Sequence, residues 1–157
     1  SSMFHDLGKI AIPDRILVKP GPLTKAQEAI MREHPIKSAE IIQPLCEEAF
    51  FKALLPGILH HHERLDGGGY PHGLQGDRIP LHARIILIAD TFDAMTTNRP
   101  YRQGGAEAFA YKELKKFSGR QFDPHLVQIF LKTHPHWGTI EEEISEEFVA
   151  AHFRRAA

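Results

Sequence analysis

The sequence predicts an all-α fold. Three observations carry that expectation: apolar residues recur at helical spacing, stretches rich in proline and glycine separate the segments that bear them, and no run alternates with period two as a half-buried strand would. A chain of 157 residues suits a single domain with its own core. That domain is expected over 1–139, followed over 140–157 by a tail that is acidic and then helical, read as solvated and without chemistry.

Taken in order, the first helix carries Phe4-His5-Asp6 and ends near Gly8-Lys9, because Pro13, Pro20, Gly21 and Pro22 exclude a long helix after it. This helix is expected to begin before Ser1, which would make the chain part of a longer protein. Thr24 followed three residues later by Gln27 is a capping-box signature. The helix it opens carries Ala26, Ile30 and His34 on one face, placing His34 toward the core, and Pro35 ends or kinks it. A second stretch runs from about Lys37 to Glu48. A third runs through Phe50, Leu54, Ile58 and Leu59, with Pro56 either kinking it or opening a new helix, and it leads into His60-His61-His62-Glu63. From Asp66 to Pro80 the chain is loop, with Gly67-Gly68-Gly69 allowing a path that other residues resist. Arg84 to Thr97 is apolar nearly all round and therefore buried, yet Asp90 sits in its middle. Two further helices are expected at about 105–117 and 124–134.

Composition narrows the function classes. Hydrophobic content of 42% and charged content of 25% are ordinary for a soluble globular chain. A formal net charge of −1 argues against a general DNA or membrane-surface binder and leaves room for a small anionic ligand. The single cysteine, Cys46, excludes an internal disulfide and fits a reducing, cytoplasmic setting. No apolar run approaches a membrane span.

A carboxylate within an apolar helix needs a compensating charge. For Asp90 an arginine would serve, and so would a metal. The inward-facing His34, the His5-Asp6 pair at a helix end and His61-His62 beside an apolar helix favour the metal. Four imidazoles and two carboxylates suit iron, manganese or zinc, and the absence of cysteine from the set excludes a thiolate zinc site. Each piece alone is weak; the ordered set is far more specific. His60 is expected to be a surface neighbour of the tandem. His72, His82, His125, His134, His136 and His152 have no partner that spacing reveals and are expected at the surface.

With these residues in view, the chain resembles the HD-GYP subgroup of the HD superfamily. The resemblance rests on His5-Asp6-Leu7-Gly8-Lys9, Ile12-Pro13, His34-Pro35, and His61-His62-Glu63-Arg64-Leu65-Asp66-Gly67-Gly68-Gly69-Tyr70-Pro71. It continues through Ile79-Pro80, Ala83-Arg84-Ile85, Ala89-Asp90-Thr91-Phe92-Asp93-Ala94, Arg99-Pro100-Tyr101-Arg102 and Gly119-Arg120-Gln121-Phe122-Asp123-Pro124. It implies an HD-domain helical bundle with a glycine-rich GYP loop. The implied activity is that of a bacterial signalling phosphodiesterase that cleaves cyclic di-GMP to the linear dinucleotide, often onward to GMP.

The same resemblance assigns metal ligation to His5, Asp6, His34, His61, His62 and Asp90, with Asp6 bridging two ions. It implies a binuclear iron or manganese centre, trinuclear in some members. Two such ions would lower the pKa of a shared water and clamp the phosphate for in-line attack. Further ligands in the family come from a helix ahead of the His-Asp motif, so the domain is expected to lack its N-terminal helix or helices here.

Other residues follow from their chemistry together with the family. Lys9, one turn from the His5-Asp6 pair, would neutralise a phosphate oxygen as charge builds. Arg99 and Arg102 would grip the second phosphate with planar forks. The Tyr70 ring would either stack on guanine or plug the loop onto the core. Glu63, Arg64, Asp66, Gly67, Gly69 and Pro71 would shape the loop and steady the histidines. Asp93 is an acceptor or a loop-fixing charge rather than a ligand. The family further implies an upstream sensor or receiver domain and docking of GGDEF cyclases on the GYP surface. The competing readings are an HD hydrolase for another cyclic dinucleotide or a phosphorylated nucleotide, and a non-catalytic module that senses the dinucleotide or docks a cyclase.

Overall fold

The computed structural model describes residues 2–97 and 105–136. The expected tail and the Arg99-Pro100-Tyr101-Arg102 segment lie outside the described residues. Among them the secondary structure is helical, and the one β-type pairing is an isolated bridge between Ser118 and Phe122. A 3-10 turn at Leu7–Ala11 precedes a single turn, α1, at Asp14–Leu17. Next come α2 (Lys25–Met31), α3 (His34–Ile42), α4 (Ala49–Leu59), α5 (Leu81–Thr96), α6 (Glu107–Lys116) and α7 (Pro124–Thr133).

Three expectations about the elements are corrected. Phe4-His5-Asp6 lie in turns rather than in a helix, and the 3-10 turn starts only at Leu7. His34 is not on the face of α2. That helix stops at Met31, and His34 opens α3, where Pro35 sits in the first turn. Proline is tolerated there because the backbone N–H it lacks has no intrahelical partner at that position. The chain therefore restarts a helix at His34 rather than carrying one through it, and Ala26 of α2 is exposed. The stretch expected to reach Glu48 ends at Ile42, where Gln43–Leu45 tightens into a 3-10 turn around Pro44. The Thr24–Gln27 capping box forms as expected, with each side chain bonded to the other residue's backbone N–H. Pro56 lies within α4.

α5 organises the rest. It packs on α4, α6 and α7, and its Leu87, Ile88 and Phe92 meet Ala110 and Leu114 of α6 and Val127 and Phe130 of α7. Burying aliphatic side chains of this size contributes roughly 1.5–3 kcal/mol each. At the start of α5, the half-buried Arg84 donates to Asp123 at 2.7 Å and to Asp77 at 3.4 Å. Asp123 in turn caps α7 by accepting from the N–H groups of His125 and Leu126. The turn before Asp123 also holds the glycine loop, since Leu65 N–H and Asp66 N–H donate to the carbonyls of Gln121 and Arg120. Two sequence motifs more than fifty residues apart thus form one support beneath the site.

Candidate metal centre

Four segments converge on one point: the turn at His5-Asp6, the first residue of α3, the end of α4, and the middle of α5. The His5 turn is pinned to α3 through Ser38, which is fully buried. Its hydroxyl donates to the His5 carbonyl and accepts from Gly8 N–H, both at 2.7 Å. A Cβ on Gly8 would collide with the His34 carbonyl and Ser38 N, so only glycine lets the turn approach α3 this closely.

His34 and His61 are almost entirely buried. Each histidine of the set His5, His34 and His61 donates its Nδ1–H to the backbone carbonyl three residues upstream: Ser2 at 2.5 Å, Met31 at 2.8 Å and Ile58 at 2.7 Å. Because a carbonyl can only accept, the proton of each neutral ring sits on Nδ1 and the Nε2 lone pair is left bare. These lone pairs face one another. His34 Nε2 lies 3.2 Å from His61 Nε2 and 3.2 Å from His62 Nε2. Asp6 Oδ1 is 3.3 Å from His34 Nε2, and Asp6 Oδ2 is 3.5 Å from His5 Nε2. His5 Nε2 is buried without a hydrogen-bond partner.

Acceptor atoms crowded together with so few protons between them repel unless a cation joins them. Their spacing also matches the edge of a tetrahedron with metal–nitrogen bonds of about 2.0–2.1 Å, an edge of about 3.3 Å. Two groups of atoms lie within 4.8 Å of one another: His34, His61 and His62, and His5, Asp6 and His61. Asp90 belongs to neither. Its carboxylate faces His5 Nε2 at 3.9 Å from the α5 side, with the side chain 28% exposed. The donor set fits first-row divalent ions.

Electrostatics set His61, His62 and the two carboxylates in the protonation states that metal ligation requires, whereas the carboxylate beside His5 favours its protonated ring. Burial pushes the His61 and His62 imidazoles down to about 4 and about 3, so both are neutral at physiological pH. The Asp90 carboxylate facing His5 raises its pKa, and His5 in return lowers that of Asp90. Burial works to raise the Asp6 carboxyl, but the adjacent His34 ring and the Lys9 ammonium, which donates to it, hold it well below the usual carboxylate range. The Lys9 ammonium lies 2.5 Å from Asp6 Oδ2, at the rim of the cluster.

The glycine loop closes over His62. The Tyr70 ring stacks on the His62 ring at 4.8 Å and 23°, and the Arg32 guanidinium carbon lies 5.1 Å from the Tyr70 centroid. Glu63 is fully buried and accepts from His72 N–H at 2.7 Å and Leu74 N–H at 3.0 Å, tying the middle of the loop to the residue after the histidines. Arg64 forks onto Asp66 at 3.0 and 2.7 Å, and Asp66 also accepts from Gly68 N–H. Gly67 has φ +79°, and Pro71 follows Tyr70 through a cis bond. Asp93 is exposed and accepts from the Thr97 hydroxyl. Arg99 and Arg102 lie outside the described residues.

Sequence reasoning missed four features. Ser38 lies one turn after His34 on the same face of α3, and a small polar residue at that spacing was the available signal. His60 and His72 pair at 3.1 Å, and His134 is half-buried against Phe92 and Phe130 with its Nδ1 2.7 Å from the Tyr111 hydroxyl. The fourth is the contact of Arg32 with Tyr70, for which spacing carried no signal, because Tyr70 is on a distant loop.

Comparison with known proteins agrees with this geometry. The model of a family described as HD domain matches residues 1–126. Over 128 residues the chain is 44% identical to the cyclic di-GMP phosphodiesterase response regulator RpfG of Xanthomonas campestris pv. campestris, covering 82% of this chain and 34% of that protein. A cyclic di-GMP phosphodiesterase of Thermotoga maritima is 39% identical over 144 residues, 92% of this chain and 37% of its own length. A 3'3'-cGAMP-specific phosphodiesterase 2 of Vibrio cholerae is 39% identical over 150 residues, 96% of this chain and 26% of its own length. The chain spans about a third or less of the curated relatives it matches.

Proposed function

The chain belongs to the HD domain family, and on that premise we propose that it is a metal-dependent phosphodiesterase that hydrolyses cyclic di-GMP in bacterial signalling. The observation that carries this reading is the convergence of the His34, His61 and His62 Nε2 atoms with the Asp6 carboxylate, lone pairs inward, with Tyr70 stacked on His62. His5, Asp6, His34, His61, His62 and Asp90 are the proposed ligands of a binuclear iron or manganese centre. Asp6 would contribute its carboxylate to that centre, its two oxygens facing different histidines. Bound there, divalent ions would supply an activated water and neutralise the reacting phosphate.

The chain's own residues prepare that chemistry. The backbone carbonyls of Ser2, Met31 and Ile58 hold three imidazoles in the tautomer that aims Nε2 inward. Burial keeps His61 and His62 unprotonated. Tyr70 and the loop held by Glu63 shield one side of His62 from water. Lys9 is proposed to hand its charge from Asp6 to a phosphate oxygen as the substrate binds. Arg99 and Arg102 are proposed, from sequence, to hold the second phosphate.

Replacing Lys9 with alanine is therefore expected to leave the bound metal in place and to lower turnover by on the order of a hundredfold. Elemental analysis beside a steady-state assay checks both halves; unchanged turnover would remove Lys9 from the reaction. No helix among the described residues is long and apolar enough to cross a membrane. A cytoplasmic location, an upstream sensor or receiver domain and docking of a GGDEF protein on the GYP loop are part of the same proposal.

The test is direct. Purified protein supplied with reductant and Fe(II) or Mn(II) is mixed with cyclic di-GMP, and linear dinucleotide and GMP are measured with and without a chelator. Metal-dependent product formation is expected. Binding without cleavage would support the sensing module instead.

A further inference from the structure

Beyond the metal centre, one charged pair touches the site without belonging to it. Glu28 and Arg32 stand one turn apart at the exposed end of α2, with Arg32 Nη2 2.5 Å from Glu28 Oε1. With Lys25 and Ala29 they line a depression of about 310 Å³. Both side chains are about half exposed. Arg32 joins this depression to the metal centre through its contact with Tyr70, whose ring stacks on His62. Arg64 and Arg84 are held by Asp66 and Asp123 on other segments, whereas the carboxylate partner of Arg32 is Glu28 on the same exposed face.

An exposed helical i,i+4 pair of this kind contributes little to stability. Its chemistry is more informative. A carboxylate beside a guanidinium presents two acceptors followed by two donors along one edge. Guanine presents the complement in the same order: the N2–H and N1–H donors, then the O6 and N7 acceptors. Adenine presents acceptor, donor and acceptor at N1, N6 and N7, and cannot satisfy the pair.

We propose that Glu28 and Arg32 form a guanine-recognition subsite on α2 for the nucleotide whose phosphate is held at the metal centre. Glu28 accepts from guanine N1–H and N2–H, and Arg32 donates to O6 and N7. Arg32 and Tyr70 together bridge the distance from His62 to the far edge of the base. This inference rests on the cyclic di-GMP reading, and it supplies the determinant that would separate guanine from adenine substrates.

Titration calorimetry of the metal-loaded protein with GMP and with AMP tests it, since the two ligands share phosphate and sugar. The wild-type protein is expected to prefer GMP by about tenfold or more, the discrimination of one good bidentate contact. Glu28→Gln and Arg32→Ala should each bring that preference to within about twofold by weakening GMP and leaving AMP as it was. Melting curves confirm that both variants are folded, which their exposed positions favour. Equal affinity of the wild-type protein for GMP and AMP, no detectable GMP binding, or an intact preference in both variants would overturn the subsite. A guanine preference without cyclic di-GMP turnover would sink the hydrolase reading alone. Turnover without a preference would sink the subsite alone.

Discussion

Asp6→Asn is expected to strip the protein of its metal and to lower cyclic di-GMP hydrolysis by on the order of a thousandfold or more. The substitution keeps the side chain's volume, so the turn at His5 has no steric reason to move. What it removes is the charge that faces His34 on one oxygen and both His5 and Lys9 on the other. The carboxyl is held ionised far below its ordinary range by His34 and Lys9, so the wild-type protein carries that charge at any working pH. An amide in its place turns an NH2 toward a lone pair or toward the Lys9 ammonium, and either contact is unfavourable for binding a cation. Metal content after desalting, compared with circular dichroism to show an intact fold, checks the expectation. A variant that retains its metal and its turnover would remove Asp6 from the centre.

Gly69→Ala should be nearly as damaging, by a different route. A Cβ at Gly69 would overlap Arg64 N, Glu63 Cα and the His62 carbonyl, all of them backbone atoms that cannot rotate away. Relief requires moving either the loop or the segment that carries His61, His62 and Glu63. Overpacking of this kind typically costs about 1–3 kcal/mol, and the displaced histidines should lose metal as well. Gly68→Ala is the control. Its Cβ would meet the Asp66 carboxylate at 3.2 Å and Arg64 Nε at 3.4 Å, which are ends of side chains with room to yield. Thermal melts and metal content of the two variants should differ plainly; equal behaviour would contradict the placement of the loop.

The helical class was legible in the sequence because it depends on local patterns. Apolar spacing marked α4, α5 and α7, and the motifs His-Asp, His and His-His named side chains that lie close together, with Asp90 facing only His5 among them. His34 shows where such reasoning stops. Its burial was anticipated, but from the face of a helix it does not belong to, because periodicity cannot tell a continuous helix from a break repaired by a proline in the next first turn. Phe4-His5-Asp6 failed for a related reason: the turn is held by Ser38 and the close approach of Gly8, which are tertiary contacts without local periodicity. Tyr70 illustrates a third limit. A glycine loop announces an unusual path, but not that the path lays its aromatic ring on His62 and beneath Arg32. The support that Arg120 and Gln121 give the loop through backbone bonds was likewise invisible, since backbone carbonyls leave no mark in the sequence.

The proposed activity requires metal among these six side chains. Crystals grown with Mn(II), with diffraction recorded for anomalous scattering at the manganese edge, would show it most directly. Two anomalous peaks are expected beside the Asp6 carboxylate. One should lie within about 2.0–2.3 Å of ligand atoms from His34, His61 and His62, and the other near His5 and Asp90. Peaks elsewhere on the surface, with the four imidazoles hydrogen-bonded only to water, would contradict it.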